Sequence, residues 1–175
     1  LNMFFKYPSI DNLNNLKRKF TKYYGISAGS DVEITGTVKI HGTNAGVTIS
    51  REGDIFYQSR NRLITPENDN AGFAQFADCN KDYFHNLAKD IGFNDFDYVT
   101  VYGEWCGGNI QKSVGVSGMD KAFVIFSIKR SSVIDEEDRD SDIFDHVDLS
   151  NIGVDHGSRI FSVLDFSTYN ENLNL

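Results

Sequence analysis

Apolar positions near the N-terminus follow the spacing of a helix. Three of them recur at i, i+3 and i+7 on one helical face: Leu13, Leu16 and Phe20. Ser9 precedes this pattern and Gly25 follows it, as residues that start and stop helices do. The pattern predicts a helix over residues 10–24. Four basic residues lie on or near its polar face: Lys17, Arg18, Lys19 and Lys22. Such a face is typically solvated, and the alternative is contact with nucleic acid.

Between residues 32 and 50 the hydrophobic period changes from that of a helix to two, the period of a strand. Apolar residues alternate with polar ones over 32–40, Gly42-Thr43-Asn44 carries turn residues, and alternation resumes over 46–49. This predicts a hairpin. Period two also places three polar side chains on the face turned away from the core: Thr37, Lys39 and His41.

The remaining segments indicate further strands and one long helix. Strands are predicted at 54–59, 98–105 and 122–128, the last buried on nearly both faces, and a helix at 70–92 ending at Gly92. Segment 131–148 holds eight acidic residues and predicts a solvated loop. The whole chain, 1–175, therefore predicts one α+β domain with mainly antiparallel strands and helices packed outside.

Composition narrows the function classes. Hydrophobic residues make up 40% and charged residues 24% of 175 residues, as in globular proteins. The net charge of −8 excludes a general nucleic-acid coat protein but not an enzyme with a local basic groove.

Cys79 and Cys106 form neither a disulfide framework nor a metal pair, and no histidine has zinc spacing with them. A calcium-loop start at residues 138–142 fails because the sixth position is Ile143 and the twelfth is Leu149. No metal ligand is predicted. No segment suggests a membrane span or signal peptide.

Three short motifs carry residues suited to chemistry. Lys39 precedes a tight turn and could act as a nucleophile once deprotonated, with His41 and Asn44 near a phosphate. Glu104 ends a strand before two glycines and could accept hydrogen bonds from a sugar. Arg60 or Arg62 could clamp a phosphate. Taken singly, each is better explained as an ordinary surface residue.

Together these motifs resemble a known superfamily. K-I-H-G-T-N at 39–44, S-R-N at 59–61, Y-G-E-W-C-G-G-N-I-Q at 102–111 and F-V-I-F-S-I at 123–128 occur in the order of the polynucleotide ligases and capping enzymes. The set looks most like the phage-type ATP-dependent RNA ligases that seal nicks in duplex RNA, and their editing relatives. The N-terminal F-F-K-Y-P-S-I-D-N-L is also similar to the opening of that family's ligase domain. The resemblance covers residues 4–128.

The resemblance implies a nucleotidyltransferase fold, the ATP-grasp-like ligase adenylation fold. It implies ATP and Mg²⁺ as cofactors, RNA with 5′-phosphate and 3′-hydroxyl ends as partner, and RNA repair in the cytoplasm, that of the host if a phage encodes the protein. Lys39 would carry AMP and His41 would lie near the phosphates. The implied nucleotide-binding residues are Val38 and Ile40 at the adenine edge, Asn44 and Arg60 at the phosphates, Glu104 at the ribose, Phe126 stacked on adenine, and Lys112 at the phosphate or RNA groove.

Residues 129–175 depart from the family pattern. They contain neither the expected E-G-x-V strand nor the K-x-K strand, and no lysine follows Lys129. The fold is therefore expected to be incomplete at the C-terminus. Three alternatives stay open: a catalytically incomplete relative that binds nucleotide or RNA, a DNA ligase or capping enzyme, and an unrelated α+β domain whose Lys39, Arg60 and Glu104 lie far apart.

Overall fold

The computed structural model of the protein describes residues 3–166 and 168–174. Its helices are α1 (Leu13–Tyr23), α2 (Phe73–Cys79), α3 (Lys81–Ile91) and α4 (Val163–Phe166). Its strands are β1 (Asp31–Thr37), β2 (Thr43–Ser50), β3 (Ile55–Ser59), β4 (Leu63–Ile64), β5 (Tyr98–Cys106), β6 (Ala122–Ser132), β7 (Ile143–Val147), β8 (Ile160–Ser162) and β9 (Thr168–Asn174). Short 3₁₀ turns lie at Arg139–Ser141 and Leu149–Asn151.

One seven-stranded sheet dominates the structure. Six strands follow the order β4-β3-β2-β5-β6-β7, all pairing antiparallel, and β8 pairs parallel to β6. The central strands β2, β5 and β6 turn one face toward α2 and α3. That face forms the main core with fully buried residues that include Val47, Val101, Ile125, Phe73 and Phe84. The predicted α+β class with mainly antiparallel strands and outer helices is confirmed.

The N-terminal segment covers part of the opposite face of this sheet. Met3 and Phe5 are buried there against Tyr102. The buried Gln58 side chain accepts a hydrogen bond from the Phe5 amide (3.1 Å) and donates one to the Phe5 carbonyl (2.8 Å), and the Tyr102 hydroxyl donates to the same carbonyl (2.8 Å). These bonds satisfy the polar groups that the segment buries and fix the point from which residues 6–10 continue.

A β-bulge interrupts the pairing of β5 with β6. Tyr102 pairs with Ser127, whereas the next residue, Gly103, pairs with Ile125, so Phe126 has no partner on β5. A bulge adds one residue to a strand and re-aims its side chain. Because of it, Ile125 and Ile128 both face the main core, while Phe126 lies on the opposite face.

The predicted hairpin of residues 32–50 is wrong. β1 ends at Thr37 and pairs along its whole length with β9, so the two form a separate antiparallel sheet. Residues 38–42 belong to no strand, and β2 already begins at Thr43, inside the predicted turn. The period-two pattern identified extended chain correctly. It could not identify the partner of that chain, because β1 and β9 are distant in sequence.

Two further predictions need correction. The helix predicted over 70–92 is two helices, α2 and α3, broken at Asn80. The Asn80 amide donates to the Ala77 carbonyl and its side chain to the Phe76 carbonyl (2.8 Å). Segment 131–148 is no plain loop: β6 runs to Ser132, and β7 pairs with it. Arg130, ion-paired to Asp145 at 2.8 Å, crosses this hairpin.

Other elements appear where the sequence predicts them. The predicted helix 10–24 corresponds to α1, although Asn12 rather than Ser9 caps it, accepting from the Asn15 amide at 2.9 Å. The strands predicted at 54–59, 98–105 and 122–128 correspond to β3, β5 and the first part of β6. Within residues 3–166 and 168–174, no helix has the length and apolar character that crossing a membrane requires.

Candidate functional site

A cleft of about 770 Å³ opens beside the start of β2 and the end of β5. Eight of the nine residues singled out from the sequence line it: Val38, Lys39, Ile40, His41, Asn44, Arg60, Glu104 and Phe126. They come from four separate parts of the chain. The alternative in which Lys39, Arg60 and Glu104 lie far apart is therefore not what the structure shows.

The segment between β1 and β2 supplies one wall of the cleft. Ile40 is half-buried and packs against the cluster formed by Cys106, Ala122 and Val124. Its neighbours Lys39 and His41 are exposed, and Val38 is 50% exposed. One apolar side chain thus holds the segment to the sheet, and the two flanking basic side chains remain accessible.

Gly42 joins this segment to the sheet. A side chain cannot fit here, because a Cβ on Gly42 would lie 2.2 Å from the Trp105 carbonyl oxygen. The Gly42 amide donates to Glu104 Oε1 (2.9 Å), and its carbonyl accepts from Gln111 Nε2 (3.3 Å). Glu104 and Gln111 therefore hold the Gly42 backbone from both sides, three residues after Lys39.

Glu104 is the carboxylate of the cleft. It lies on β5 directly opposite Asn44 on β2, so sheet register fixes both side chains at one rim. Burial raises the pKa of the Glu104 carboxyl. The Gly42 amide and the positive charges of His41, Lys39 and Arg60 act in the opposite direction and favour its ionised form. The positive charges that act on the Glu104 carboxylate are therefore those of three predicted site residues, His41, Lys39 and Arg60.

The structure separates the two arginines of the S-R-N-R motif. Arg62 donates to the carbonyls of Leu63, Asn68 and Asp69 at 3.1–3.2 Å, so it holds its own loop together. Arg60 is exposed and lines the cleft. Of the two, Arg60 is the one available to a bound ligand.

Phe126 brings an aromatic ring to the cleft. Its ring meets that of Tyr7 edge-on at 5.1 Å, and Tyr7 in turn contacts Tyr102 at 5.0 Å. Phe126 is only half-buried, and part of its ring is exposed in the lining of the cleft. The bulge in β6 accounts for this direction.

The ninth candidate, Lys112, is placed elsewhere. It is exposed in the loop between β5 and β6 and is not among the residues that line the cleft. Its neighbour Gln111 approaches the site instead. The cleft role that the resemblance implies for Lys112 is therefore not supported.

Sequence reasoning missed one wall of the cleft. Residues 6–10, Lys6 to Ile10, line it opposite the 38–42 segment, together with Thr37, Thr43, Val124 and Val163. The similarity of F-F-K-Y-P-S-I to the opening of a ligase domain was the signal that pointed to this segment. Nothing in its composition indicated that it would fold over the sheet.

The acidic and metal-binding side chains of the described part of the chain form no metal site of their own. No group of three or more His, Cys, Asp or Glu residues is arranged to hold an ion there. Among the residues lining the cleft, Glu104 is the one carboxylate. Any divalent ion in the cleft would need most of its ligands from a bound molecule or water.

The chain matches a known protein family. A family model described as RNA ligase matches residues 32–172. This range is most of the chain and includes every predicted site residue. No curated protein matches the chain at a significant level.

Proposed function

The chain belongs to the RNA ligase family, and from that membership we propose that it is an ATP-dependent RNA ligase with Lys39 as nucleophile. The observation that carries the proposal is the convergence of Lys39, Arg60 and Glu104 on one cleft. The cleft is large enough for a nucleotide, since small-molecule sites span roughly 300–1,000 Å³. It also combines an accessible amine, further cations, a carboxylate and an open aromatic ring.

In the proposed first step, the unprotonated Lys39 Nζ attacks the α-phosphorus of ATP. A P–N bond forms, the bond from the α-phosphorus to the bridging oxygen breaks, and pyrophosphate leaves with the bond's electrons. One of the two protons on Nζ passes to solvent, which leaves a lysyl-AMP phosphoramidate with a single N–H. Transfers of this kind depend mainly on positioning and on charge neutralisation. The accessible positions of Arg60 and His41 suit them to the phosphate oxygens.

The remaining candidates suit the nucleoside. The open face of Phe126 would stack on adenine, and the backbone of Val38 and Ile40 would contact the adenine edge. Glu104 would accept hydrogen bonds from the ribose hydroxyls, and Asn44, opposite it in register, would lie toward the phosphates. The raised pKa of Glu104 reflects the burial that excludes water from this rim.

Two further steps complete ligation. An oxygen of an RNA 5′-phosphate attacks the phosphorus of lysyl-AMP, the P–N bond breaks, and the lysine recovers its proton. The 3′-hydroxyl of a second RNA end then attacks the activated 5′-phosphate and AMP leaves. Mg²⁺ fits this scheme as part of the Mg·ATP substrate, since Glu104 is the one carboxylate of the cleft lining. Bound to the phosphates, it neutralises their charge.

Covalent labelling tests the proposal. The protein is mixed with α-labelled ATP and Mg²⁺, denatured and separated on a gel. We expect label on the wild type and on the control Lys89→Ala, whose side chain is exposed on α3, and none on Lys39→Ala. Melting temperatures of all three should agree, because Lys39 is exposed. An unlabelled wild type, or a labelled Lys39→Ala, contradicts the proposal; ATP binding without label would indicate a catalytically incomplete relative instead.

Replacing the nucleotide or the nucleic acid tests which substrates the protein uses. GTP in place of ATP separates a ligase from a capping enzyme. A nicked RNA duplex compared with a nicked DNA duplex separates RNA from DNA ligase. We expect label from ATP only, and transfer of AMP to the 5′-phosphate of the RNA nick.

A further inference from the structure

The N-terminal arm, residues 6–22, carries a charge opposite to that of the chain. It holds five basic residues (Lys6, Lys17, Arg18, Lys19 and Lys22) against one acidic residue, Asp11, a formal charge of +4 within a chain of −8. A positively charged segment of this kind is expected where a protein contacts the negatively charged backbone of a nucleic acid.

The arm is continuous with the wall of the cleft. Lys6 to Ile10 line the cleft, and α1 begins three residues after Ile10. An ion pair between Asp11 and Lys19 ties the middle of α1 back to the residues beside the cleft. This pair neutralises one basic side chain of the helix, Lys19, and holds the helix to the residues beside the cleft.

Helix α1 presents Arg18 and Lys22 to solvent. At 100° per residue, Arg18 and Lys22 lie within about 40° of each other, on the side opposite Leu16 and Phe20. Leu16 and Phe20 are half-buried, whereas Arg18 and Lys22 are exposed. Arg18 and Lys22 are separated by about 6 Å along the helix axis. No residue of the helix is fully buried.

We propose that the outer face of α1, formed by Arg18 and Lys22, binds the phosphodiester backbone of the RNA strand whose 5′-phosphate enters the cleft. The inference rests on the proposed function, because that function brings an RNA end to Lys39. RNA is favoured over a lipid surface by position: the helix that carries the basic face follows the cleft wall directly in the chain, and an RNA strand must leave its reacting end beside that wall. Contacts of this kind add affinity without reading sequence.

The test compares two double variants of equal charge. R18Q/K22Q removes the two exposed cations of α1, and K81Q/K89Q removes two exposed cations of α3, away from the cleft lining. Binding of a fluorescent nicked RNA duplex with a 5′-phosphate is measured by anisotropy between 50 and 200 mM salt. Two lost phosphate contacts should weaken binding about 10- to 100-fold at 50 mM salt and reduce the log–log salt slope by about 1.4–1.8. K81Q/K89Q should bind like the wild type.

Two further comparisons complete the test. R18K/K22R, which keeps both charges, should bind RNA as the wild type does. Vesicles of anionic phosphatidylserine mixed with phosphatidylcholine should show no binding that depends on Arg18 and Lys22. Equal RNA binding by R18Q/K22Q and K81Q/K89Q overturns the proposal. So does a loss of vesicle binding in R18Q/K22Q while its RNA binding stays intact.

An adenylation assay distinguishes a failure of this inference from a failure of the proposed function. All the double variants should take AMP from α-labelled ATP as the wild type does, because none touches the cleft. A wild type that takes label but binds no RNA overturns the role of α1 and leaves Lys39 as nucleophile. A wild type that takes no label but binds RNA through Arg18 and Lys22 overturns the proposed function and supports the role of α1.

Discussion

Two walls of the cleft are built in different ways. One wall consists of sheet residues: Asn44, Glu104 and Phe126 lie on the three central strands, next to residues with almost no solvent exposure. The other wall is the segment 38–42, which has no strand partner and whose Lys39 and His41 are exposed. The two walls meet at the hydrogen bond from the Gly42 amide to Glu104.

The difference separates two tasks. The sheet wall can hold a nucleotide in a fixed position because the core underneath determines its geometry. The segment wall carries Lys39, the proposed nucleophile, on backbone that pairs with no strand. Changes in the sheet wall should therefore affect stability and binding together. Changes in the segment wall should affect chemistry more than stability, except at Ile40, which packs against the sheet, and at Gly42, where the walls join.

Gly42→Ala should have the largest effect, because it forces the two walls apart. The new Cβ would overlap the Trp105 carbonyl, and overpacking of this kind costs about 3 kcal/mol or more. We expect a melting temperature lower by roughly 10 °C and a strong loss of AMP labelling. Gly115→Ala is the matched control, since nothing lies within 4 Å of its Cβ. A Gly42→Ala protein as stable as Gly115→Ala would show that the walls are not rigidly joined.

Phe126→Ala should weaken both binding and stability. Loss of stacking on a base costs about 1–3 kcal/mol, which corresponds to roughly 5- to 150-fold weaker ATP binding by calorimetry. Its half-buried ring should also contribute about 2 kcal/mol to stability. Phe126→Leu keeps apolar bulk without the ring, so it should melt near the wild type and still bind ATP weakly. If both variants bind ATP normally, Phe126 is a packing residue and not a stacking one.

Glu104→Gln should change the pH dependence of stability. Because burial raises the pKa of the Glu104 carboxyl, the folded protein holds its proton more tightly than the unfolded chain does. Ionisation therefore destabilises the fold as pH rises from the ordinary value of 4.5 through the raised pKa. Melting curves from pH 4 to 7.5 should show the variant gaining stability relative to the wild type over that window. A difference that stays constant with pH would mean that Glu104 is not responsible.

Lys112→Ala should have the smallest effect. Its side chain is exposed outside the cleft lining, so AMP labelling and melting temperature should stay within error of the wild type. A loss of labelling comparable with that of Lys39→Ala would restore the role that the resemblance implies and would require the 107–121 loop to close over the cleft.

The sheet wall was the more predictable of the two from sequence. The strands that carry Glu104 and Phe126 have continuous apolar runs, and alternation correctly placed Glu104 on the face opposite Trp105, which is buried in the main core. Lys39 lines the cleft, but the strand predicted for it is wrong, since it lies in no strand. Its place depends on Ile40 packing and on Gly42, and neither is a periodic signal.

The errors concern the partners of extended segments, the point at which a helix breaks and the burial of a polar side chain, none of which a hydrophobic pattern specifies. The partner of β1 is β9, more than a hundred residues away, and the acidic charge of 131–148 concealed the pairing of β7 with β6. The break at Asn80 depends on one side chain that caps a helix in the middle of an apolar stripe. The covering of the sheet by residues 3–5 depends on Gln58, a polar residue whose burial no hydropathy pattern indicates.

The bulge at Phe126 has a consequence for how the cleft can change over evolution. Residues 122–125 and 127–131 each pair with β5 in unbroken register, and only the residue between them has no partner. Deleting Phe126 would therefore leave a regular strand with Ile125 and Ile128 still facing the core. Under the proposed function this is the side chain that would contact the base, so base preference could change here while the rest of the strand keeps its pairing with β5.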